Sequence, residues 1–200
     1  MKVFDSENIR NIALVGHGDS GKTSLTSAFL FCSGAVNRLS RIEDGNTVTD
    51  YEEDEIERRI TISTALAHVE WQEIKINILD TPGYRTFSMD TKASMLGGDT
   101  AIVVVDAVSG VEVQTESVWS FADEFQLPKA IFLNKLDRDG ASFRRSLDSL
   151  RDSFGRNLIP VQLPIGEEKK FCGVVDLVRN CSYIYDKNNS GEFKEEPVIE

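Results

Sequence analysis

Two kinds of apolar pattern alternate along this chain. Short unbroken apolar runs predict buried β-strands, and stripes with apolar residues three or four positions apart predict helices. Strands that alternate with helices of this length indicate a mostly parallel sheet covered on both faces, so we expect a three-layer α/β fold. The predicted strands cover residues 10–15, 100–105 and 129–133, and the predicted helices cover residues 22–33, 87–96, 118–125 and 143–154.

Two further β-branched stretches, residues 60–71 and 74–79, are separated by only two residues and predict a hairpin with one antiparallel strand. The stretch before them, residues 34–59, is polar and has no clear periodicity. A loop of this length in a compact domain is usually functional or mobile. We expect its acidic run, residues 50–57, to form a solvated face or loop.

The pattern changes again near residue 159. From there on the chain alternates as antiparallel strands do, and we expect a small β-rich unit that continues to the last residue. The predicted organisation is a P-loop-type α/β domain over residues 1–157 and the beginning of an inserted β-rich subdomain over 158–200. Within the second part the predicted strands are 159–165, 171–178 and 182–185, with a turn at 188–191.

Composition narrows the class of protein. Of 200 residues, 40% are hydrophobic, which is enough for a core, and no apolar run is long enough to span a membrane. Three cysteines without metal spacing predict reduced thiols in a cytoplasmic protein, with Cys32 on a core face. The net charge of −11 argues against broad binding of nucleic acid. We expect a monomer that does not bind membranes.

The segment from Gly16 to Thr23, Gly-His-Gly-Asp-Ser-Gly-Lys-Thr, has the form G-x-x-x-x-G-K-[ST] between a predicted strand and a predicted helix. Such a loop turns backbone N–H groups toward phosphate oxygens, while Lys22 adds a positive charge and Thr23 offers a hydroxyl to Mg²⁺. A glycine turn with an unrelated lysine is the alternative, and the strand and helix on either side disfavour it. The residues predicted to bind nucleotide here are Gly16, His17, Gly18, Asp19, Ser20, Gly21, Lys22, Thr23 and Ser24.

Two more motifs follow predicted strands. In Asp-Thr-Pro-Gly, residues 80–83, Asp80 can hold Mg²⁺ and Gly83 lets a backbone N–H approach the γ-phosphate. In Asn-Lys-Leu-Asp, residues 134–137, Asp137 presents two acceptor oxygens that match the N1–H and 2-amino donors of guanine.

Adenine has an acceptor in place of the N1–H and would leave the Asp137 carboxylate unpaired. Asn134 can bond the base edge or tie the loops together, and the Lys135 stem can lie over the base or ribose. Because the carboxyl ends of parallel strands meet at one edge of a sheet, the three motifs can share one site. They predict a GTPase-class protein that binds GTP or GDP.

The chain resembles the nucleotide-binding domain of bacterial elongation factor G over nearly its whole length. The segments that carry the resemblance are residues 11–17, 57–62, 78–83, 106–112 and 162–166, the last of these together with 173–177 resembling the inserted subdomain of that family. The resemblance implies a P-loop GTPase fold and GTP hydrolysis coupled to ribosomal translocation or recycling. Ribosomal protection against tetracycline is a related possibility, which residues 162–166 disfavour.

By position in that family, Thr61 is expected to be the switch threonine near Mg²⁺ and the attacking water. Residues 37–59 and 80–96 correspond to the two switch regions. Asp19 corresponds to a candidate ligand for a monovalent cation near the phosphates. The expected catalytic residues are Thr61, Gly83 and Tyr84, and the expected Mg²⁺ ligands are Thr23, Thr61 and Asp80.

The chain departs from the family pattern at three places. Tyr84 stands where the family usually has the histidine that positions water, so the alternative is a GTP-binding switch with weak or no hydrolysis. Arg59 replaces the glycine that usually precedes Ile-Thr, which constrains the first switch. The fifth nucleotide motif, a Ser-Ala-Lys/Leu loop, does not occur by Glu200.

Overall fold

The computed structural model describes residues 2–186 and 193–197, so the turn predicted at 188–191 lies outside the described residues. The chain forms two compact units. The first comprises Met1–Val105 and Glu112–Phe132, and the second comprises Asp106–Val111 and Leu133–Glu200. The domain boundary predicted between residues 157 and 158 stays a prediction.

A five-stranded sheet forms the centre of the first unit. Strand β1 pairs in parallel with β3 and β4, and β2 pairs antiparallel with β3, so the predicted mostly parallel sheet with one antiparallel strand is confirmed. The spatial order is β2-β3-β1-β4-β5. The strands are β1 (Ile9–Gly16), β2 (Ala65–Trp71), β3 (Ile74–Asp80), β4 (Thr100–Asp106) and β5 (Lys129–Asn134).

The described part of the chain includes five α-helices. The first unit contains α1 (Lys22–Cys32), α2 (Glu53–Arg58), α3 (Ser88–Met95) and α4 (Val113–Glu124), and the second contains α5 (Phe143–Phe154). Short 3-10 turns occur at Ser6–Asn8, Ile42–Asp44, Arg85–Phe87 and Glu168–Lys170. Among the residues described, no helix is long and apolar enough to cross a membrane.

The first unit has three layers because alternate side chains of β1 point to opposite faces of the sheet. Leu14 packs toward α1, whereas its neighbours Ala13 and Val15 are buried on the other face, where α3 and α4 contact β1. This arrangement confirms the predicted fold class. The core on the α1 side consists of Leu14, Leu25, Leu30, Ala67, Val69, Ile78 and Val104.

Some local predictions were wrong. Cys32 is exposed, because it is the last residue of α1 and the buried stripe of that helix passes through Thr26 and Leu30 instead. Strand β2 begins at Ala65 rather than at residue 60. The predicted loop before it contains the short helix α2, and two of its acids, Asp50 and Glu55, are buried rather than solvated.

The second unit contains a four-stranded antiparallel sheet, which confirms the antiparallel β-rich character predicted after residue 159. The third predicted strand is also confirmed. The first and second are shorter than predicted, since they cover only Gln162–Ile165 and Gly173–Asp176. The last strand was not predicted. In order along the sheet, the strands are β6 (Gln162–Ile165), β7 (Gly173–Asp176), β8 (Cys181–Tyr185) and β9 (Phe193–Pro197).

Candidate functional site

The loop between β1 and α1 has the backbone that a phosphate-binding loop requires. Gly16 has φ of +143°, and a Cβ on it would lie 2.3 Å from the carbonyl oxygen of Val104, so no other residue fits there. Gly21 caps α1 in the left-handed conformation, with φ of 99°. The loop therefore leads directly into the N-terminus of an eleven-residue helix, where the helix dipole favours an anion.

Lys22 is held in the centre of this loop. Its side chain is buried, and its Nζ donates hydrogen bonds to the carbonyl oxygens of Gly16 at 3.3 Å and His17 at 2.8 Å. A buried ammonium needs acceptors of this kind to offset its loss of hydration. The loop thus holds a positive charge at a defined position.

Hydroxyl groups and carboxylates meet beside Thr23, the second residue of α1. Oγ1 of Thr23 lies 3.1 Å from Oγ1 of Thr61, and the Thr61 hydroxyl donates to Oδ1 of Asp50 at 2.8 Å. The Thr49 hydroxyl donates to Oδ2 of Asp80 at 2.7 Å. The three predicted Mg²⁺ ligands, Thr23, Thr61 and Asp80, all lie in the first unit, and Asp50 and Thr49 join them.

The electrostatics of this cluster suit a divalent cation. Burial raises the pKa of Asp80 to about 6, against the opposing effects of the Thr49 hydrogen bond and the charge of Lys22. Burial also raises the pKa of Asp50, although its hydrogen bond from Thr61 lowers it. Oδ1 of Asp80 is buried and accepts no hydrogen bond from any described residue. A buried carboxylate oxygen without a donor is what a hard cation with oxygen ligands would satisfy.

A purely acidic or thiolate metal site is not present in the described ranges. Within residues 2–186 and 193–197, no group of three or more His, Cys, Asp or Glu side chains is placed to hold a metal ion. Any cation bound at Asp80 would therefore need the threonine hydroxyls, which are ligands that Mg²⁺ accepts alongside water and phosphate oxygens.

The loop after β3 lies directly against the phosphate loop. A Cβ on Gly83 would be 2.4 Å from Nζ of Lys22 and 2.7 Å from the backbone nitrogen of Gly18, so only glycine permits this approach. The Tyr84 ring covers Gly18, and its hydroxyl donates to Oδ2 of Asp19 at 3.1 Å. Burial, the charge of Asp19 and this hydrogen bond all raise the pKa of Tyr84, so the phenol stays protonated at neutral pH.

The remaining predicted residues lie in the second unit, where Asn134 is the last residue of β5 and Lys135 and Asp137 follow it. Lys135 has φ of 61°, and its ammonium forms an ion pair with Oδ2 of Asp106 at 2.8 Å. Burial raises the pKa of Asp106, but its hydrogen bonds with Lys135 and with the N–H of Val108 outweigh this effect and lower it. The side chain of Asn134 accepts from the N–H of Lys135 at 2.9 Å, and Asp137 is exposed.

Sequence reasoning missed Thr49, Asp50 and Glu55 as candidate functional residues. All three are buried, although they lie in a polar stretch without periodicity. Nothing in the local pattern separates Asp50 and Glu55 from their exposed acidic neighbours. The run Thr-Val-Thr-Asp, residues 47–50, puts oxygen ligands within a predicted switch region and could have drawn attention to Thr49 and Asp50, whereas no such signal marks Glu55.

The comparisons with known proteins agree with this geometry. The family described as Elongation factor Tu GTP binding domain matches residues 7–198. Elongation factor G of Granulibacter bethesdensis is 42% identical over 193 residues, and elongation factor G of Mycoplasma genitalium is 39% identical over 199 residues. These matches cover 96% and 100% of this chain, but only 28% and 29% of the relatives.

A solved crystal structure of a protein from Thermus thermophilus superimposes with a TM-score of 0.88 at 37% identity, covering 96% of this chain and 28% of the other. The chain thus spans less than a third of the length of the proteins that it matches. The family match extends over nearly every residue of both units. The chain belongs to the family of elongation factor Tu GTP-binding domains.

Proposed function

We propose that this chain is the GTP-binding domain of an elongation factor G-type translation factor and that it binds GTP or GDP with Mg²⁺. The observation that carries the proposal is the unpartnered Oδ1 of the buried Asp80, which lies among threonine hydroxyls and near the Lys22 charge. A loop that fixes a buried lysine beside such a carboxylate is suited to a Mg²⁺-bound polyphosphate.

The residues of the phosphate loop bind and orient the triphosphate. Backbone N–H groups of residues 16–24 face the phosphate oxygens, and Lys22 contacts the outer phosphates. Thr23, Thr61 and Asp80 would hold Mg²⁺, which when bound would neutralise charge on the phosphate oxygens. Supporting observations are the positive φ values of Gly16 and Gly21 and the hydroxyl pair at Thr23 and Thr61.

Guanine recognition is assigned to Asn134, Lys135 and Asp137. The exposed carboxylate of Asp137 can accept from both donors of the guanine edge, and the ion pair between Lys135 and Asp106 holds the lysine stem in a defined position. The matching family, whose description names GTP binding, supports guanine over adenine.

We propose GTP hydrolysis stimulated by the ribosome, which the full-length factor would contact, with Thr61, Gly83 and Tyr84 at the reacting end. Translocation and ribosome recycling both fit this proposal. A GTP-binding switch with weak hydrolysis is the second candidate, because the Tyr84 hydroxyl is engaged with Asp19. A monovalent cation beside the exposed Asp19 carboxylate would add positive charge near the phosphates.

The remaining proposals concern the oligomeric state, the cellular location and the binding partners of the protein. We propose a monomeric cytoplasmic protein that does not bind membranes, and the charge of −11 supports partners other than free nucleic acid. The ribosome would then be recognised mainly through parts of the factor outside this chain.

A nucleotide titration of the 200-residue chain tests the binding proposal. We expect fluorescent GTP and GDP to bind only weakly without Mg²⁺ and ATP to compete poorly. Equal competition by ATP and GTP would overturn the guanine assignment. For the activity, phosphate release by the full-length factor with ribosomes should continue over many turnovers, and release that stops after one turnover would favour the switch.

A further inference from the structure

Glu55 is a buried carboxylate in the short helix α2. Its side chain is only 2% exposed, whereas Glu53 and Asp54, its neighbours on the same helix, are exposed. Glutamate is rarely buried to this extent unless its oxygens are paired. The contacts that compensate for this burial therefore indicate what Glu55 does.

Glu55 accepts hydrogen bonds from four backbone N–H groups within a segment of five residues. Its backbone carbonyl accepts from Arg59 and, at 3.2 Å, from Ile60. Its side-chain Oε1 accepts from Ile62 at 2.9 Å and from Ser63 at 3.2 Å. These four N–H groups flank Thr61 on both sides.

The second carboxylate oxygen ties the same side chain to the start of the helix. Oε2 accepts from the N–H of Glu52 at 3.4 Å. In return, the Glu52 side chain accepts from the backbone N–H of Glu55, the third residue of the helix. Glu55 thus joins the beginning of α2 to the segment after it. Hydrogen bonds from N–H groups to a carboxylate are stronger than those to a neutral acceptor.

The segment that Glu55 holds carries the Thr61 hydroxyl, which lies 3.1 Å from Oγ1 of Thr23. Residues 60–64 precede β2 and belong to no strand or helix, so hydrogen bonds such as those that their N–H groups donate to Glu55 must fix their path. We propose that Glu55 is the positioning residue for Thr61, setting the place of its hydroxyl and thereby the affinity for Mg²⁺–GTP. This inference rests on the proposed function and extends it to a residue that contacts no ligand.

The test compares Glu55→Ala, Glu55→Asp and Glu55→Gln with the wild-type chain, and Glu53→Ala serves as the matched control on the exposed face of the same helix. Alanine removes the carboxylate acceptor. Aspartate has a side chain one methylene shorter, which moves the carboxylate away from the N–H groups of Ile62 and Ser63. Glutamine keeps an acceptor oxygen for Ile62 and Ser63. The measurements are the affinities for fluorescent GTP and GDP with Mg²⁺, and the rate of tryptic cleavage at the exposed Arg58 and Arg59.

We expect Glu55→Ala and Glu55→Asp to weaken Mg²⁺–GTP binding by about tenfold and GDP binding by about twofold or less, because GDP lacks the γ-phosphate near Thr61. Glu55→Gln should recover most of the loss, and Glu53→Ala should match wild type. A general folding role would weaken the binding of GTP and of GDP equally. That result, or wild-type GTP affinity in Glu55→Ala, would overturn the inference.

Tryptic cleavage separates this inference from the proposed function. We expect cleavage at Arg58 and Arg59 to be faster in Glu55→Ala than in wild type with or without nucleotide, because the variant loses the acceptor for the N–H groups of Ile62 and Ser63. If wild type binds no nucleotide, the proposed function fails and the inference with it, while faster cleavage would still show that Glu55 anchors the segment. Unchanged cleavage together with unchanged affinity would contradict the anchoring itself. If Glu55→Ala does not fold, Glu55→Asp decides the same question.

Discussion

The hydroxyl of Tyr84 donates a hydrogen bond to Oδ2 of Asp19 across 3.1 Å, and the Tyr84 ring covers Gly18. This contact joins the loop after β3 to the phosphate loop. Gly18 does not have a left-handed φ, and the atoms nearest to a Cβ placed on it all belong to Tyr84, with Cζ at 2.7 Å. Glycine is therefore needed at position 18 to make room for the phenol rather than for the backbone.

A double-mutant cycle tests the coupling of Gly18 and Tyr84. Gly18→Ala should lower the free energy of unfolding by about 1–3 kcal/mol, because the new methyl overlaps the ring. In a Tyr84→Ala background the same change should be neutral or slightly stabilising, since alanine loses less entropy than glycine on folding. Chemical denaturation of the four proteins measures both values. Equal effects in the two backgrounds would mean that the ring does not limit position 18.

Tyr84→His tests whether this position limits hydrolysis. A histidine ring can accept or donate a proton near neutral pH, which the phenol with its raised pKa cannot do. We expect the full-length factor with ribosomes to release phosphate at least about tenfold faster after the change. Tyr84→Phe is the control, because it keeps the ring over Gly18 and removes only the hydroxyl. An unchanged rate in Tyr84→His would show that another step is limiting.

The sequence predicted the phosphate loop and the Asp80 motif because each is local. In both, the residues that carry the chemistry lie within eight positions and follow a strand, so the strand alone aims them at the sheet edge. Register between β1 and β3 then sets Leu14 opposite Asp80 and brings the two motifs together. The proximity of the two motifs follows from this register, whereas the nucleotide and Mg²⁺ contacts assigned to their residues stay predictions.

Asp50 and Glu55 could not be predicted in the same way. Their burial depends on the path of a long polar segment, and that path is fixed by contacts with Thr61 and with the N–H groups of Ile62 and Ser63. Such contacts have no periodic signature along the chain. The prediction that Cys32 lies on a core face was wrong for a related reason. A regular helical stripe predicts which face of the helix is buried, but not where the helix ends relative to the sheet.

Asp80→Asn should make stability less dependent on pH. Since the folded-state pKa of about 6 lies above the ordinary value of 3.8, the folded chain keeps this proton to higher pH and loses stability as pH rises from about 4 to about 6. Without Mg²⁺ and nucleotide, Asp80→Asn should equal wild type near pH 4 and exceed it above pH 6, by up to about 3 kcal/mol.

Calorimetry across this pH range measures the difference, with Asp54→Asn as an exposed control. The sign should reverse when Mg²⁺ and GTP are added, because wild type then binds the cation through the charged carboxylate and the asparagine variant does so poorly. If the difference in stability between Asp80→Asn and wild type does not vary with pH, burial of the Asp80 charge is not its cause.

Arg59→Gly should stabilise the chain slightly. Arg59 ends α2 with φ of 58°, a conformation that costs a residue with a Cβ about 1–2 kcal/mol. Glycine removes this cost but gains entropy in the unfolded state, so we expect a net gain of about 0.5–1 kcal/mol. Arg58→Gly is the matched comparison: Arg58 is the last residue of the helix and does not have a positive φ, so glycine there should destabilise by about 0.5–1 kcal/mol. If both changes destabilise equally, the side chain of Arg59 makes a contact that offsets its strain.

Asp137→Asn tests which base the chain recognises. An asparagine side chain presents one acceptor and one amino donor, which match the N1–H and 2-oxo group of xanthine and oppose the 2-amino group of guanine. The affinity for GTP should fall by about tenfold to a hundredfold while that for xanthosine triphosphate rises. Competition against a fluorescent guanine nucleotide measures both, and Asp139→Asn, two residues further along the same exposed loop, serves as the control. If Asp137→Asn keeps the preference for guanine, another part of the chain recognises the base. If the binding of both nucleotides weakens to the same extent, the substitution disturbs the loop in general.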